Sequence, residues 1–460
     1  MPGVPSPLQS ARLRRIIVAY TVNRLGTWFG LVALMVAVFD HTHSAIAVAA
    51  LLLAGQALPA FVVPALVARV EASVHRRELS GLYLFEAVVT AGLAVLLWNF
   101  SLPAILLLAA LDGTAALAAS ALLRAEVARA ARGQVELEAE RAPALPGRSA
   151  GVDLESEVHE AERRANAALN VAFSGTFVLG PVLAGAVVAA AGASAALFID
   201  VGSFLICAAL LLDLHPHVEE AGGDSVRARL RKAWSHINEA PRLRALLLTE
   251  AVALLFFESA GPIEVAYAKA TLHVGDRGFG LLLTTWGAGG VLGSLVFARS
   301  VRRPLGAMLS TGALAIGLAY IGFSIAPSLA LACVAALIGG VGNGLQWPSL
   351  ISVVQRLTPP QLHGRMMGAV ESLGAFCLAA GLVLGGSLVA LSSPRVAFLV
   401  VGVGAASTTA VFVVLTMRGL EPTAAGAGVA AAEAPVREAV APAPEAVAPA
   451  PESTPEPSAP

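Results

Sequence analysis

The placement of Lys and Arg between long apolar stretches constrains the fold of this chain more than any other feature. When the sequence is divided into twelve apolar spans, 26 of the 30 basic residues fall in the termini and in every second loop. Lys269, Arg277 and Arg395 lie in the remaining loops, and Arg24 lies inside a span. Because cytoplasmic loops of membrane proteins retain Lys and Arg, the pattern predicts a polytopic membrane protein with both termini in the cytoplasm.

Composition supports a membrane-embedded chain. Hydrophobic residues make up 57% of the sequence and charged residues 13%, whereas soluble domains carry about 25% charged residues. A transmembrane helix needs about 20 mostly apolar residues, and many stretches meet that length. The predicted fold class is therefore an all-α polytopic membrane protein with twelve transmembrane helices. The predicted spans are 16–39, 45–68, 79–99, 102–123, 167–190, 194–213, 244–268, 278–298, 305–325, 328–354, 366–391 and 395–417.

The spans are predicted to form two six-helix halves. The N-terminal half covers 1–213 and includes a charged cytoplasmic insertion at about 124–165, and the C-terminal half covers 244–418. Between them, residues 214–243 form a predicted cytoplasmic linker with an amphipathic helix. Residues 419–460 are dominated by Ala, Pro and Glu, and such a composition predicts a disordered cytoplasmic tail.

A short internal repeat is the basis for the two halves. Residues 180–185 (GPVLAG) match 381–386 (GLVLGG), and residues 195–202 match 395–402 at nearly the same offset. Duplicated halves around a central substrate site are the architecture of a large class of secondary transporters. The repeat places Val400 opposite Asp200, so an architectural need shared by both halves does not explain this carboxylate.

Over residues 12–418 the chain resembles the major facilitator superfamily, in particular its enterobactin-exporter-like and macrolide-efflux-like branch. The resemblance is carried by residues 180–185, 196–204 (ALFIDVGSF), 229–246 (RLRKAWSHINEAPRLRAL) and 342–368 (GNGLQWPSLISVVQRLTPPQLHGRMMG). It implies two pseudo-symmetric six-helix halves and a secondary exporter driven by proton antiport. No cofactor is implied, because the proton gradient supplies the energy.

The resemblance also assigns conformational residues. Glycine and proline in span five are associated with export in the antiporter members, and small residues allow helices to approach closely. The loop between spans two and three departs from the family pattern, because Glu71 stands where an aspartate is usual. The candidate conformational motif is Gly175, Gly180, Pro181 and Gly185. The candidate gating residues of the cytoplasmic loops are Glu71, Arg76, Arg77, Gly364 and Arg365.

Polar residues inside the spans are candidates for the transport pathway, because a charge at the bilayer centre costs at least about 2.5–3.5 kcal/mol. Glu258 is the candidate proton carrier, since it lies mid-span beside the helix-breaking pair Gly261 and Pro262, where burial disfavours a charged carboxylate. A structural role remains open, as a polar contact for Glu258 and as an ion pair for Arg24 with Glu86. Glu250 and Glu371 are assigned to the solvated interface. The candidate pathway residues are Arg24, Glu86, Asp112, Asp200, Glu258, Glu264, Trp286, Asn343, Gln346 and Trp347.

These observations favour an exporter of a small amphipathic molecule such as a drug, siderophore or metabolite. The expected partners are this substrate and the lipid bilayer, with no nucleic acid, and the chain is expected to act as a monomer in a bacterial inner membrane. An importer or facilitator of the same fold and a non-transporting sensor or scaffold remain as alternatives. An enzyme is not expected, since the sequence shows no nucleophile–base pair, metal cluster or phosphate loop.

Overall fold

The computed structural model describes residues 10–62, 78–141, 150–212, 235, 237–300, 303–359 and 362–417. These residues form helices joined by short turns, and none of them lies in a strand. The predicted all-α architecture is therefore confirmed. The helices are α1 (Ala11–Thr42), α2 (Ala45–Val62), α3 (Glu78–Leu96), α4 (Leu102–Arg141), α5 (Ala150–Ala191), α6 (Ala193–Leu210), α7 (241–271), α8 (Gly275–Arg299), α9 (Leu305–Ile325), α10 (Leu329–Arg356), α11 (His363–Leu391) and α12 (Pro394–Met417).

Each predicted span overlaps one of these helices. Within the described residues, eleven helices are long and apolar enough to cross a membrane, and α12 contributes a shorter apolar stretch, Pro394–Ala410. Helix α1 begins five residues before its predicted span, because the Ser10 side chain accepts a hydrogen bond from the Leu13 backbone N–H at 3.3 Å. Ser44 caps α2 in the same way through the Ala47 N–H. Such capping satisfies donors that the first turn leaves unpaired.

Helices α4 and α5 are much longer than a membrane requires. They contain 40 and 42 residues, or about 60 Å each at the α-helical rise, whereas a hydrocarbon core is about 30 Å thick. The predicted insertion at 124–165 thus continues both helices, apart from residues 142–149, which lie outside the described part. Arg132 of α4 and Glu162 of α5 form an ion pair at 3.5 Å between the two extensions.

Helix α7 is interrupted near its middle. Its first segment is Pro241–Glu258, its second is Ala260–Ala266, and a π-helical turn, Tyr267–Thr271, completes it. The predicted break at Gly261 and Pro262 falls at Ser259 instead. Proline has no N–H to donate to the carbonyl four residues earlier, which here belongs to Glu258, so the distortion precedes the proline.

The helices up to α6 and those from α7 onward pack mainly among themselves. Helix α1 contacts α5 and α6, and α3 contacts α4 and α6. Among the later helices α10 contacts α8 and α9, and α7 contacts α11. The two sets meet where α5 packs against α8 and α2 against α11. The chain divides into two compact units, residues 1–414 and 415–460. The predicted division of the first unit into two six-helix halves stays a prediction.

The buried apolar residues fall into three clusters within the described residues. One cluster joins both sets of helices near the α1–α2 turn, with Phe29, Phe39, Ile263, Phe279 and Phe398 among its members. The other two clusters lie toward the opposite end, and each belongs to a single set. One contains residues of α1 and α3–α6, and the other residues of α7 and α9–α11 together with Ile237. Among the described residues, the two sets therefore share a buried core near the α1–α2 turn and have separate clusters toward the other end.

Candidate functional site

A cavity of about 390 Å³ lies between the two sets of helices. Helix α5 forms one wall with Phe173 and Phe177, and α7, α8 and α10 form the others. The lining residues are Phe173, Phe177, Glu250, Ala253, Leu254, Phe257, Glu258, Gly287, Gly290, Val291, Ser294, Asn343, Gly344, Gln346, Trp347 and Pro348. Clefts of this size with apolar and aromatic walls and a few polar groups are typical of small-molecule sites.

Two carboxyl groups of α7 belong to the cavity wall. Glu258 lies there as the candidate proton carrier, and Glu250 lies two helical turns earlier. The side chain of Gln346 on α10 donates a hydrogen bond to Glu250 Oε2 at 2.9 Å. The assignment of Glu250 to a solvated interface was wrong, because the residue is only 5% exposed. The lining positions 250, 253, 254, 257 and 258 follow one helix face, and this spacing could have identified Glu250.

The two candidate tryptophans occupy different surroundings. Trp347 of α10 lies on the cavity wall and is 48% exposed. Trp286 of α8 is stacked on Tyr320 of α9, with ring centroids 5.7 Å apart and an interplanar angle of 12°. Trp286 therefore packs inside the later set of helices, outside the residues that line the cavity. Only Trp347 is placed to stack on a bound molecule.

Asn343, Gln346 and Glu264 complete the candidates in the later helices. Asn343 and Gln346 line the cavity, as their assignment to substrate orientation requires. Glu264 lies in the second segment of α7, beyond the break and outside the lining residues. It interacts electrostatically with Tyr320.

Three carboxyl residues lie among the earlier helices and outside the cavity lining; Glu86 and Asp200 are buried, and Asp112 is partly buried. Asp112 of α4 accepts a hydrogen bond from the Thr90 hydroxyl at 3.1 Å. Asp200 of α6 accepts one from the Ser203 hydroxyl at 3.1 Å. Glu86 of α3 is 0% exposed, and neither of its carboxyl oxygens has a hydrogen-bond partner. Asp112 and Asp200 both interact electrostatically with Glu86.

No hydrogen bond joins Arg24 to Glu86, the pair that the sequence left open, because neither carboxyl oxygen of Glu86 has a hydrogen-bond partner. The guanidinium carbon of Arg24 lies over the ring of Phe173, 5.1 Å from the centroid. Arg24 thus contacts a cavity-lining aromatic residue from α1. Asp200 packs against Gly26 and Gly30 of α1, where a Cβ atom would meet its carboxyl group. The two glycines therefore let α6 bring a carboxyl group against α1.

The residues of the candidate conformational motif in α5 face different partners. Gly180 packs against Trp28 of α1, within the earlier set. Gly185 packs against α8, and a Cβ atom on it would lie 2.9 Å from the Gly280 Cα. A Cβ atom on Gly280 would lie 2.7 Å from the carbonyl oxygen of Pro181. Pro181 and Gly185 therefore form a close contact between the two sets, whereas Gly175 has open space around it.

An ion-pair network joins the two sets where they share a core. The ammonium group of Lys269 on α7 donates hydrogen bonds to both carboxylate oxygens of Asp40 on α1, each at 2.9 Å. Lys269 also forms an ion pair with Asp276 of α8. We call this the Lys269 end, and the end with Glu126 and Arg132 the Arg132 end. The sequence showed Lys269 as an exception to the charge pattern but did not indicate its partners.

The candidate gating residues are mostly beyond what the structure describes. Glu71, Arg76 and Arg77 lie outside the described residues. Gly364 and Arg365 lie in the first turn of α11, which begins at His363. Their gating role stays a prediction.

Comparisons with known proteins agree with this architecture. The family model described as Major Facilitator Superfamily matches residues 246–449. A protein named multidrug efflux pump Tap from Mycolicibacterium fortuitum is 27% identical over 250 residues, which cover 51% of this chain and 59% of that protein. The protein of the same name from Mycobacterium tuberculosis H37Rv is 27% identical over 243 residues, 51% of this chain and 58% of its own. The chain thus spans less than two thirds of these relatives.

Solved structures show the same fold at low sequence identity. The nucleoside transporter NupG matches with a TM-score of 0.64 and 12% identity, over 88% of this chain and 99% of its own. A bacterial homologue of the lysosomal transporter Spinster, in an inward-facing and occupied conformation, matches with a TM-score of 0.63 and 13% identity over 90% and 98%. The matched proteins are transporters or efflux pumps by name. The chain is therefore a multi-pass membrane protein, and its later part is similar to the Major Facilitator Superfamily.

Proposed function

We propose that the chain is a proton-coupled exporter of small amphipathic molecules in a bacterial inner membrane. It works by alternating access, with the proton gradient as its energy source and both termini in the cytoplasm. The mycobacterial relatives are named multidrug efflux pumps, and that name supports outward transport of drug-like molecules. The substrate is bound between two six-helix halves that rock against each other.

The observation that carries the proposal is the cavity between α5 and helices α7, α8 and α10. Its wall combines four aromatic side chains (Phe173, Phe177, Phe257 and Trp347) with two carboxyl groups (Glu250 and Glu258). Aromatic rings accept flat apolar surfaces of many shapes, and carboxylates attract a positive group on the same molecule. Such a wall suits an amphipathic molecule with an aromatic part.

The distribution of buried clusters supports alternating access. The two sets of helices share an apolar core and the Lys269 network at one end, whereas their clusters are separate toward the Arg132 end. A transporter closed on one side of its substrate site needs this asymmetry. In the proposed cycle the Lys269 end faces the exterior and is closed, so the cavity is loaded from the cytoplasm.

Glu258 is the proposed proton carrier because it lies on the cavity wall and beside the interruption of α7. Open to the exterior, its carboxylate takes a proton from water after the substrate has left. Open to the cytoplasm, it gives the proton to water and becomes available to a new substrate. One proton thus enters for each substrate that leaves, and no covalent step is required.

Ethidium, an aromatic cation, is a suitable probe for the test. Everted membrane vesicles that contain the full chain and are acidified inside should accumulate ethidium, which is followed by fluorescence. Glu258→Gln should reduce accumulation to the level of vesicles that lack the protein, because the amide cannot carry a proton. Glu371→Gln, an exposed position on α11, is the matched control and should transport normally.

Two results would contradict the proposal. If Glu258→Gln and Asp200→Asn both transport as the wild type does, neither carboxyl carries the coupling proton. If ethidium addition to proteoliposomes moves protons in the direction of the ethidium, the chain is a symporter or importer and not an exporter. Transport that is indifferent to the proton gradient indicates a facilitator.

A further inference from the structure

We propose that Glu86 is a second proton-binding residue, located among the earlier helices and separate from the carboxyl groups of the cavity. The proposed exporter mechanism uses Glu258 and has no role for Glu86. The bound proton does not depend on that mechanism, because it belongs to the conformation described here, whereas its release during transport rests on the proposed function.

Among the described residues, no hydrogen-bond donor or ion-pair partner compensates the carboxyl group of Glu86. Glu86 is 0% exposed, and both oxygens of its carboxyl group are without a hydrogen-bond partner. The hydroxyl of Thr90, one turn further along α3, donates to Asp112, and the hydroxyl of Ser203 donates to Asp200. The cation on α1, Arg24, lies over the Phe173 ring.

The charged and titratable groups around Glu86 disfavour an anion. Asp112 approaches from α4 and Asp200 from α6, and both interact electrostatically with Glu86. Tyr83, on α3 itself, and Cys207 of α6 also interact electrostatically with Glu86, and neither supplies a positive charge. An isolated carboxylate buried away from water is disfavoured by many kcal/mol, so such a group becomes neutral instead. A proton on one Glu86 oxygen removes both the burial penalty and the repulsion.

Glu126 shows how the same fold holds a buried glutamate as an anion. It is also 0% exposed, but Arg12 and Arg129 both form ion pairs with it, the latter at 2.8 Å. A buried carboxylate is tolerated when it is paired and hydrogen-bonded. The contrast between two equally buried glutamates assigns the proton to Glu86 and the charge to Glu126.

The Glu86 site is separate from the cavity in this conformation. The cavity lining consists of residues from α5, α7, α8 and α10, whereas Glu86, Asp112 and Asp200 lie on α3, α4 and α6. The proton of Glu86 can therefore exchange with water only after these helices rearrange. On that rearrangement the O–H bond breaks, the proton passes to water and a carboxylate remains.

Infrared difference spectroscopy on the full chain in lipid tests the assignment directly. At neutral pH, the wild-type spectrum minus that of Glu86→Gln should contain the carbonyl stretch of a protonated carboxylic acid. The wild-type spectrum minus that of Glu126→Gln, the matched control, should contain carboxylate bands. If removal of Glu86 also removes carboxylate bands, the residue is ionised and the proposal is wrong.

A second pair of variants covers the case in which Glu86→Gln does not fold. Glu86→Leu should unfold at the wild-type temperature or above it, because it replaces a neutral group without partners. Glu126→Leu should unfold at a lower temperature, since it leaves Arg12 and Arg129 without their anion. Strong destabilisation by Glu86→Leu would show that the carboxyl group has a charged role and would overturn the proposal.

Transport separates this inference from the proposed function. In acidified everted vesicles, Glu86→Gln should lower ethidium accumulation, whereas equilibration of ethidium without a gradient should stay normal. Unchanged accumulation would mean that the Glu86 proton does not move during the cycle, which contradicts a site that exchanges it. Failure of wild-type vesicles to accumulate ethidium would count against the exporter and leave the infrared result standing.

Discussion

Trp347 is the residue whose position on the cavity wall leads to the most direct prediction about binding. Its indole is half exposed, and stacking of an aromatic cation on such a ring contributes about 0.5–2 kcal/mol. Trp347→Ala should therefore weaken ethidium binding to the purified chain several-fold, whereas Trp347→Phe should retain most of it. Equilibrium dialysis measures both affinities.

The matched control for Trp347 is another exposed tryptophan. Trp98 follows α3 at the Lys269 end and packs near Phe198, with ring centroids 6.3 Å apart. Trp98→Ala should leave ethidium binding unchanged, because the residue does not line the cavity. Equal weakening by both alanine variants would mean that the cavity is not where ethidium binds.

The hydrogen bond between Gln346 and Glu250 supports a second prediction at this scale. Gln346→Leu removes the donor and leaves a buried carboxyl group without it, which costs about 1–3 kcal/mol. The thermal unfolding temperature should fall. Adding Glu250→Leu should restore part of the loss, because no unsatisfied group then remains, and strictly additive losses would contradict a direct interaction.

Single residues also show where sequence-based inference stops. Glu258 could be selected from the sequence because the proline that interrupts its helix is only four positions away. Asp200 was recognised as unusual, but its contact with Gly26 and Gly30 depends on α6 packing against α1, which the spacing of residues does not show. Glu250 was expected to be solvated because it lies near the end of its span, but it is buried and accepts a hydrogen bond from Gln346 of a different helix.

Among the helices, we expect the contact of α1, α7 and α8 at the Lys269 end to close that side of the cavity. Lys269 is the cation between Asp40 and Asp276, and its side chain is 15% exposed. Lys269→Met removes this attraction and leaves two carboxylates unpaired. A free-energy change of about 1.4 kcal/mol corresponds to a tenfold change in an equilibrium constant. A modest loss of stability of the closed conformation should therefore raise the population of molecules that are open at the Lys269 end.

A cysteine reporter detects opening of this end. Ala49 of α2 is buried, and Gly386 of α11 packs against it. With Cys207, Cys333 and Cys377 replaced by alanine, Ala49→Cys should react with a maleimide faster in Lys269→Met than in the parent chain. Lys269→Arg keeps the cation and should react at the parent rate. Equal rates in all three chains would exclude Lys269 as a closure.

The α5–α8 contact gives an independent prediction for the same end. A side chain at Gly185 would collide with Gly280 and the backbone of Asp276, so Gly185→Leu should force the helices apart and abolish ethidium accumulation. Gly175 lies on the same helix in open space, and Gly175→Leu should transport normally. Loss of transport in both variants would indicate a helix defect and not a contact between helices.

The sequence predicted the positions of the helices better than it predicted the contacts between them. Apolar length and the charge pattern predicted the spans, and Ser10 and Ser44 caps explain the exact starts of α1 and α2. The division of Gly180 and Gly185 between different partner helices was not predictable, since both belong to the same spacing. Their roles depend on which helix lies opposite, and the repeat did not specify that.

At the scale of the whole molecule, the orientation of the chain in the membrane decides the direction of transport, because the two sets share a core at one end and have separate clusters toward the other. If the Lys269 end is exterior, the conformation described here loads from the cytoplasm. If that end is cytoplasmic, the same geometry would load from outside and the direction of transport would reverse. The charge pattern supports the first orientation, because basic residues concentrate at the Arg132 end.

Labelling in intact cells tests that orientation. In the chain without natural cysteines, Asn99→Cys lies in the exposed turn between α3 and α4 at the Lys269 end, and Arg132→Cys is exposed at the other. A maleimide that cannot cross the membrane should label Asn99→Cys in intact cells and Arg132→Cys only after permeabilisation. The opposite result would invert the chain, and the Lys269 network would then close the cytoplasmic side of the cavity, as an importer requires.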